Sequence, residues 1–111
     1  MIDSFGLDVE TIPEGENVAS GIAAIKKHKP DIVFLDIQMP DGTGFDVIQA
    51  IEEKTFEIIF ITAHEEFAIK AIKFSALDYL LKPVDTTELR NSLEKALTTI
   101  ETRSDSQFDA L

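Results

Sequence analysis

The stretch DIVFLDIQMPDG, residues 31–42, decides the fold class of this chain. It opens with a run of β-branched and aromatic side chains from Asp31 to Leu35, without alternation, which is typical of a strand covered on both faces in a parallel sheet. The run leads into a carboxylate at Asp36 and then into a proline-glycine turn. The fold and the function both have to account for a charged group at the end of a buried strand.

Strands and helices alternate on both sides of this stretch. Three further short segments are predicted strands: Leu7 to Ile12 at a sheet edge, Glu57 to Thr62, and Asp78 to Leu81. Apolar stripes at helical spacing predict four helices, containing Val18, Ile22 and Ile25; Phe45, Ile48 and Ile51; Phe67, Ala71 and Phe74; and Leu89, Leu93, Leu97 and Ile100. Asn17 is a predicted N-cap, and Asp85 with Glu88 forms a predicted capping box. The order βαβαβαβα predicts an open doubly wound parallel α/β domain.

Length and charge limit the possible functions. The chain has 111 residues, which fits one domain, and its net charge is −11. Such an acidic surface repels nucleic-acid backbones and anionic lipid, so we expect no direct nucleic-acid or membrane partner. The sequence shows neither an apolar run long enough to span a bilayer nor a signal-peptide pattern, so we expect a cytoplasmic location. Periodicity fades after Thr102, so the predicted domain spans residues 1–102, with 103–111 as a linker or tail.

Polar residues follow three of the predicted strands. Asp36, Thr62 and Lys82 each come at the carboxyl end of a strand, where ligands bind in open α/β sheets. A carboxylate can act as a nucleophile, and a hydroxyl and an ammonium can bind anionic oxygens. Taken singly, the three residues are a turn residue, a good strand residue and a snorkelling lysine. Their convergence on one rim favours a functional site.

Other motifs fit poorly. Gly42 and Gly44 begin a dinucleotide-binding pattern, but Val47 stands where the third glycine belongs. Pro40 and Asp41 do not match a calcium-binding loop. An aspartate-based phosphatase is also disfavoured, because Gln38 replaces the second aspartate of that motif.

Three segments together carry a family resemblance: DIVFLDIQMPDGTGFDVI, FITAHEEFAIKAI and ALDYLLKPVD, from residues 31, 60 and 76. They resemble the receiver domain of two-component response regulators, in the form that precedes LytTR-type DNA-binding domains. The resemblance covers residues 7–102 and implies the flavodoxin-like receiver fold. It also implies a signalling module that is not an enzyme.

The resemblance assigns roles to individual residues. Asp36 is the implied phosphoacceptor for a sensor histidine kinase, and Thr62 and Lys82 bind the phosphate. Thr62 and Tyr79 form the implied switch, and Pro83 follows a cis peptide bond. A Mg²⁺ ion is implied at Asp36 and the backbone carbonyl of Gln38.

The resemblance also has a gap. Receivers begin with an apolar strand that ends in two adjacent acidic residues, followed by a first helix, and here the similarity starts at the end of that helix. The magnesium site is therefore expected to lack its acidic pair. In the family strand order the missing strand lies between Leu7–Ile12 and Asp31–Leu35, so we expect an exposed apolar central edge and self-association or domain swapping.

Two functions follow as expectations. The first is a receiver that is phosphorylated on Asp36, switches an output surface and, in a full-length protein, controls a DNA-binding output domain. The alternative is a phosphorylation-independent interaction or oligomerisation module with a defective magnesium site.

Overall fold

A computed structural model of the chain describes residues 8–13, 15–52 and 55–109. The elements within these ranges, in chain order, are β1 (Val9–Ile12), α1 (Val18–His28), β2 (Ile32–Asp36), β3 (Gln38–Met39), β4 (Gly42–Thr43), α2 (Gly44–Gln49), β5 (Glu57–Thr62), a 3-10 helix (Glu65–Phe67), α3 (Ala68–Lys73), β6 (Asp78–Leu81) and α4 (Thr86–Asp109).

Four parallel strands in the order β1-β2-β5-β6 form the central sheet. Side chains from α1, α2 and α3 pack on one face around Leu35 and Phe60, and α4 packs on the other face around Phe34 and Ile59. Every residue of β2 is buried, as its unbroken apolar run predicted. The predicted class, a parallel sheet with helices on both faces, is confirmed.

The predicted open edge beside β2 is wrong. β1 lies at the sheet edge as expected, but it pairs directly with β2, from Val9 opposite Ile32 to Ile12 opposite Leu35. Unpaired backbone groups on a buried strand cost free energy, and β1 satisfies those of β2. The gap expected between the two strands is therefore closed, and self-association needs a different basis.

The first helix begins where the sequence predicted. The side chain of Asn17 accepts a hydrogen bond from the N–H of Ser20 at 2.7 Å, and the hydroxyl of Ser20 accepts one from the N–H of Asn17 at 3.3 Å. The helix ends at His28, and Lys29 follows in the left-handed conformation. Helix α1 therefore starts directly after the predicted cap.

Two local features differ from the predictions. The segment after β2 is not a simple turn, because β3 and β4 pair as a small antiparallel hairpin around Pro40 and Asp41. Helix α4 continues to Asp109, through a range expected to be a linker or tail, because adding residues to a helix that has already formed does not require an apolar stripe. Residues 1–7, including the start of the predicted first strand, and residues 110–111 lie outside the described residues. Within the described ranges, no helix is both long and apolar enough to span a membrane.

Candidate functional site

The three polar residues predicted to share a rim lie at the ends of neighbouring strands. Asp36 is the last residue of β2 and pairs with Ile61, next to Thr62 at the end of β5. Lys82 directly follows β6, and its backbone N–H donates to the carbonyl of Thr62 at 2.8 Å. Parallel strands thus bring all three residues to one edge of the sheet, and their side chains make different contacts there.

Asp36 and Lys82 meet through their side chains. The ammonium of Lys82 forms an ion pair with Oδ2 of Asp36, and Oδ1 accepts a hydrogen bond from the N–H of Gln38 at 3.1 Å. Asp36 is only 5% exposed, so these contacts offset the cost of burying its charge. The Lys82–Pro83 peptide bond is cis.

The side chain of Thr62 contacts the loop that directly follows β5. This side chain is buried, and its hydroxyl accepts a hydrogen bond from the N–H of His64 at 3.2 Å. This contact closes a local turn after β5. The hydroxyl would have to leave this turn to bond a group carried by Asp36.

Tyr79 connects β6 to the same loop. Its hydroxyl donates a hydrogen bond to the carbonyl of His64, and its ring packs against the core that contains Phe60. Burial raises the pKa of the Tyr79 phenol, and the nearby charges of Glu66 and Glu65 raise this pKa further. The loop from His64 to Phe67 is thus held from both sides, by Thr62 and by Tyr79.

The carboxylate of Asp36 faces an open depression of about 290 Å³. The other residues that line it are Thr11, Ile12, Pro13, Gly15, Phe34, Ile61 and Lys82. Among the lining residues that the structure describes, those at and after the end of β1 are uncharged, and Asp36 is the single carboxylate.

These residues do not fit the implied magnesium ion. Mg²⁺ demands near-ideal octahedral oxygen coordination, and it usually keeps several waters and binds the protein through one or two carboxylates. Asp36 is the one carboxylate among the described residues that line the depression. Both oxygens of Asp36 already have partners, one of them a cation. Among the described residues, no three His, Asp or Glu side chains lie close enough together to hold a metal ion.

A glycine that sequence reasoning had not assigned to the site lies against the acceptor strand. A Cβ at Gly44 would lie 2.6 Å from the carbonyl oxygen of Asp36, and the N–H of Gly44 donates to the carbonyl of Ile37 at 2.8 Å. Helix α2 can start this close to β2 only because Gly44 lacks a side chain. The strand-glycine-helix order of the sequence is the signal that indicates this close approach.

Comparisons with known proteins agree with this geometry. Residues 1–94 match the family model described as response regulator receiver domain. The transcriptional regulatory protein BtsR of Escherichia coli K12 is 43% identical over 89 residues, which is 79% of this chain and 37% of that protein. An uncharacterized response regulatory protein of Vibrio cholerae is 40% identical over 90 residues, which is 80% of this chain and 38% of that protein. The chain thus spans less than two fifths of the length of these relatives.

Solved structures give the same result. The receiver domain of AraT, a response regulator from Geobacillus stearothermophilus, matches with a TM-score of 0.72 and 31% identity, over 80% of this chain and 72% of that one. A response regulator receiver domain protein from Clostridium thermocellum matches with a TM-score of 0.69 and 27% identity, over 78% and 73% of the two chains. The chain belongs to the response regulator receiver domain family of two-component systems.

Proposed function

We propose that the chain is a receiver whose Asp36 accepts a phosphoryl group from the phosphohistidine of a sensor histidine kinase. The observation that carries this proposal is the position of the Asp36 carboxylate, which lines an open depression at the end of the central strand and touches the Lys82 ammonium. Receiver domains are generally signalling modules without turnover, and they pair with sensor kinases and output domains in full-length regulators.

The proposed step is a transfer between two residues. An oxygen of Asp36 forms a bond to phosphorus, the phosphorus–nitrogen bond of the phosphohistidine breaks, and the electron pair of that bond stays on the imidazole. Lys82 supports the step because its ammonium can move from the carboxylate to an oxygen of the phosphoryl group. Phosphoryl transfer depends chiefly on such positioning and charge neutralisation.

The proposed output is a rearrangement beside β6. A phosphoaspartate adds about one negative charge relative to the carboxylate, and this charge attracts the Thr62 hydroxyl out of its turn. Thr62 and Tyr79 both hold the loop that starts at His64, so moving one of them biases the other. The surface formed by this loop, α3 and β6 is the proposed output face.

The cellular setting extends the proposal. The sequence motifs favour a LytTR-type regulator that acts in the cytoplasm and carries a DNA-binding output domain in its full-length form. Receiver domains generally bind Mg²⁺, whereas the described residues of this chain do not fit that ion.

Intact mass measurement tests the acceptor. After incubation with a small acyl-phosphate donor, or with a phosphorylated sensor kinase, we expect a mass gain of one phosphoryl group. The gain should disappear in Asp36→Asn and persist in Asp41→Asn, which changes a nearby exposed carboxylate. An unmodified wild-type chain under both donors would contradict the proposal.

The lack of a second carboxylate among the described residues that line the depression beside Asp36 favours a second candidate function. In it the chain works as a phosphorylation-independent interaction or oligomerisation module, and the Asp36–Lys82 pair has a structural role. Loss of self-association or of partner binding in variants that leave Asp36 intact, together with no mass gain, would favour this candidate.

A further inference from the structure

The charge of Asp36 is balanced by a residue of the chain itself. The Lys82 ammonium touches Oδ2, and the N–H of Gln38 donates to Oδ1, so each oxygen has one donor. A divalent cation bound to this carboxylate would lie beside the ammonium and be repelled by it. The carboxylate is thus both occupied and shielded from a second cation.

Among the described residues beside Asp36, the end of the neighbouring strand β1 offers no carboxylate to oppose that repulsion. Glu10, within β1, contacts His28 instead. The parallel register sets Thr11 beside Phe34 and Ile12 beside Leu35, so continuing it by one residue puts Pro13 beside Asp36. Neighbouring strands lie about 4.8 Å apart, which would suit two carboxylates that share one metal ion. Here, instead, a proline occupies the position next to the acceptor.

Two carboxylates in the segment after β2 accept hydrogen bonds from backbone N–H groups at the starts of helices. Oδ1 of Asp41 accepts a hydrogen bond from the N–H of Val18 at 2.7 Å, at the start of α1. Oδ2 of Asp46 accepts one from the N–H of Thr43 at 2.9 Å, at the start of α2. Both groups stabilise helix N-termini and would lose those bonds by turning towards Asp36.

From these contacts we infer that Lys82 is the counter-ion of the unmodified Asp36 carboxylate and that the depression beside Asp36 takes no divalent cation. Any reaction at Asp36 then depends on Lys82 and not on Mg²⁺. The binding statement stands independently of phosphorylation, and only the statement about reaction rests on the proposed function.

Paramagnetic broadening by Mn²⁺, a substitute for Mg²⁺, tests the binding statement. Bound Mn²⁺ would broaden the backbone amide signals of the residues within several ångströms. We expect the wild-type chain to show no more broadening at Gln38 and Thr62 than at exposed acidic positions such as Glu94. Selective broadening at Gln38 and Thr62 that disappears in Asp36→Asn would overturn the inference.

A gain-of-site variant tests the cause. Pro13→Asp places a second carboxylate beside Asp36, and we expect Mn²⁺ to broaden the signals of Gln38 and Thr62 selectively in this variant. The effect should disappear when Asp36→Asn is added. A folded Pro13→Asp variant without selective broadening would contradict the idea that a missing carboxylate at position 13 keeps the cation out. If the variant does not fold, the wild-type measurement still decides whether the depression beside Asp36 binds Mn²⁺.

The reaction statement has its own readout. With an acyl-phosphate donor we expect the initial rate of Asp36 modification to change less than twofold between excess Mg²⁺ and excess chelator. The rate should fall at least tenfold in Lys82→Met and remain unchanged in Lys27→Met, an exposed control. Strict dependence on Mg²⁺ would overturn the inference, whereas no modification under either condition would contradict the proposed function and leave the Mn²⁺ result intact.

Discussion

At Gly44 the chain passes so close to the acceptor strand that a single methyl group matters. A Cβ there would lie 2.6 Å from the Asp36 carbonyl oxygen and 3.0 Å from Cγ of Leu35, both in the buried strand. We expect Gly44→Ala to lower the free energy of unfolding by about 1–3 kcal/mol, as overpacking does, and to displace Asp36. Urea denaturation measures the loss.

Gly15 provides the matched control for Gly44. It lies in the loop before α1, and a Cβ there would have no atom within 4 Å. We expect Gly15→Ala to change the free energy of unfolding by less than about 0.5 kcal/mol. Equal effects of the two substitutions would show that the approach of α2 to β2 is less close than described.

Tyr79 makes stability depend on pH in the alkaline range. Its pKa is raised above the usual 10.0 by burial and by the charges of Glu66 and Glu65, so the fold favours the neutral phenol. This contribution is complete below pH 10.0 and is lost as the pH rises through the raised pKa. Tyr79→Phe should not show this additional alkaline loss of stability.

Tyrosinate absorbance measures this titration directly, because Tyr79 is the only tyrosine and the chain has no tryptophan. We expect the midpoint above pH 10.0 in the folded chain and near 10.0 in denaturant. The same midpoint in both states would contradict the burial of the Tyr79 phenol.

At the scale of elements, one buried hydroxyl joins α4 to β6. Ser92 is fully buried, and its hydroxyl donates to Oδ2 of Asp78 at 2.5 Å, while Oδ1 accepts from the N–H of Tyr79 at 2.8 Å. Ser92→Ala leaves a half-buried carboxylate oxygen without this donor, so we expect a loss of about 1–3 kcal/mol in the free energy of unfolding. Faster hydrogen exchange at the Tyr79 amide should accompany the loss.

Thr98 on the same helix is the control for Ser92. It is exposed, so Thr98→Ala should change the free energy of unfolding by less than about 0.5 kcal/mol. If Ser92→Ala matched this control, the hydrogen bond to Asp78 would not be what fastens α4.

Elements with their own periodic signal were predictable from the sequence. Helix α1 starts directly after the predicted cap, and strands β5 and β6 have the predicted bounds, because the Asn17 cap and the apolar spacing are local signals. The partner of β1 was not predictable, because pairing is decided between segments more than 20 residues apart. The C-terminal bound of α4 was missed because the apolar periodicity of the sequence ends before the helix does.

The residues of the site also differ in how far the sequence predicts their contacts. The meeting of Asp36 and Lys82 follows from parallel strands whose carboxyl ends share one edge, a rule that needs only the strand positions. The roles of Gly44 and Ser92 depend on how closely α2 and α4 approach the sheet, which no spacing in the sequence encodes. For Ser92 the sequence does contain one signal of a buried contact, since this polar residue stands beside the apolar stripe of α4.

At the scale of the whole molecule, charge and exposed apolar surface act against each other. The net charge of −11 makes copies of the chain repel one another. Ile69 and Ile72, one turn apart on α3, are 71% and 75% exposed, and Leu81 at the end of the edge strand β6 is also exposed. With the edge of β2 closed by β1, this α3–β6 surface is the remaining basis for the expected self-association.

Salt should therefore promote association of the chain, because screening weakens the repulsion while apolar contacts persist. We expect light scattering to show a larger mean mass at high ionic strength than at low ionic strength. The double variant Ile69→Gln with Ile72→Gln should reduce this increase, and Thr98→Gln, at an exposed position of α4, should not. A monomer at every salt concentration would contradict self-association, and an increase that persists in the double variant would assign it to a different surface.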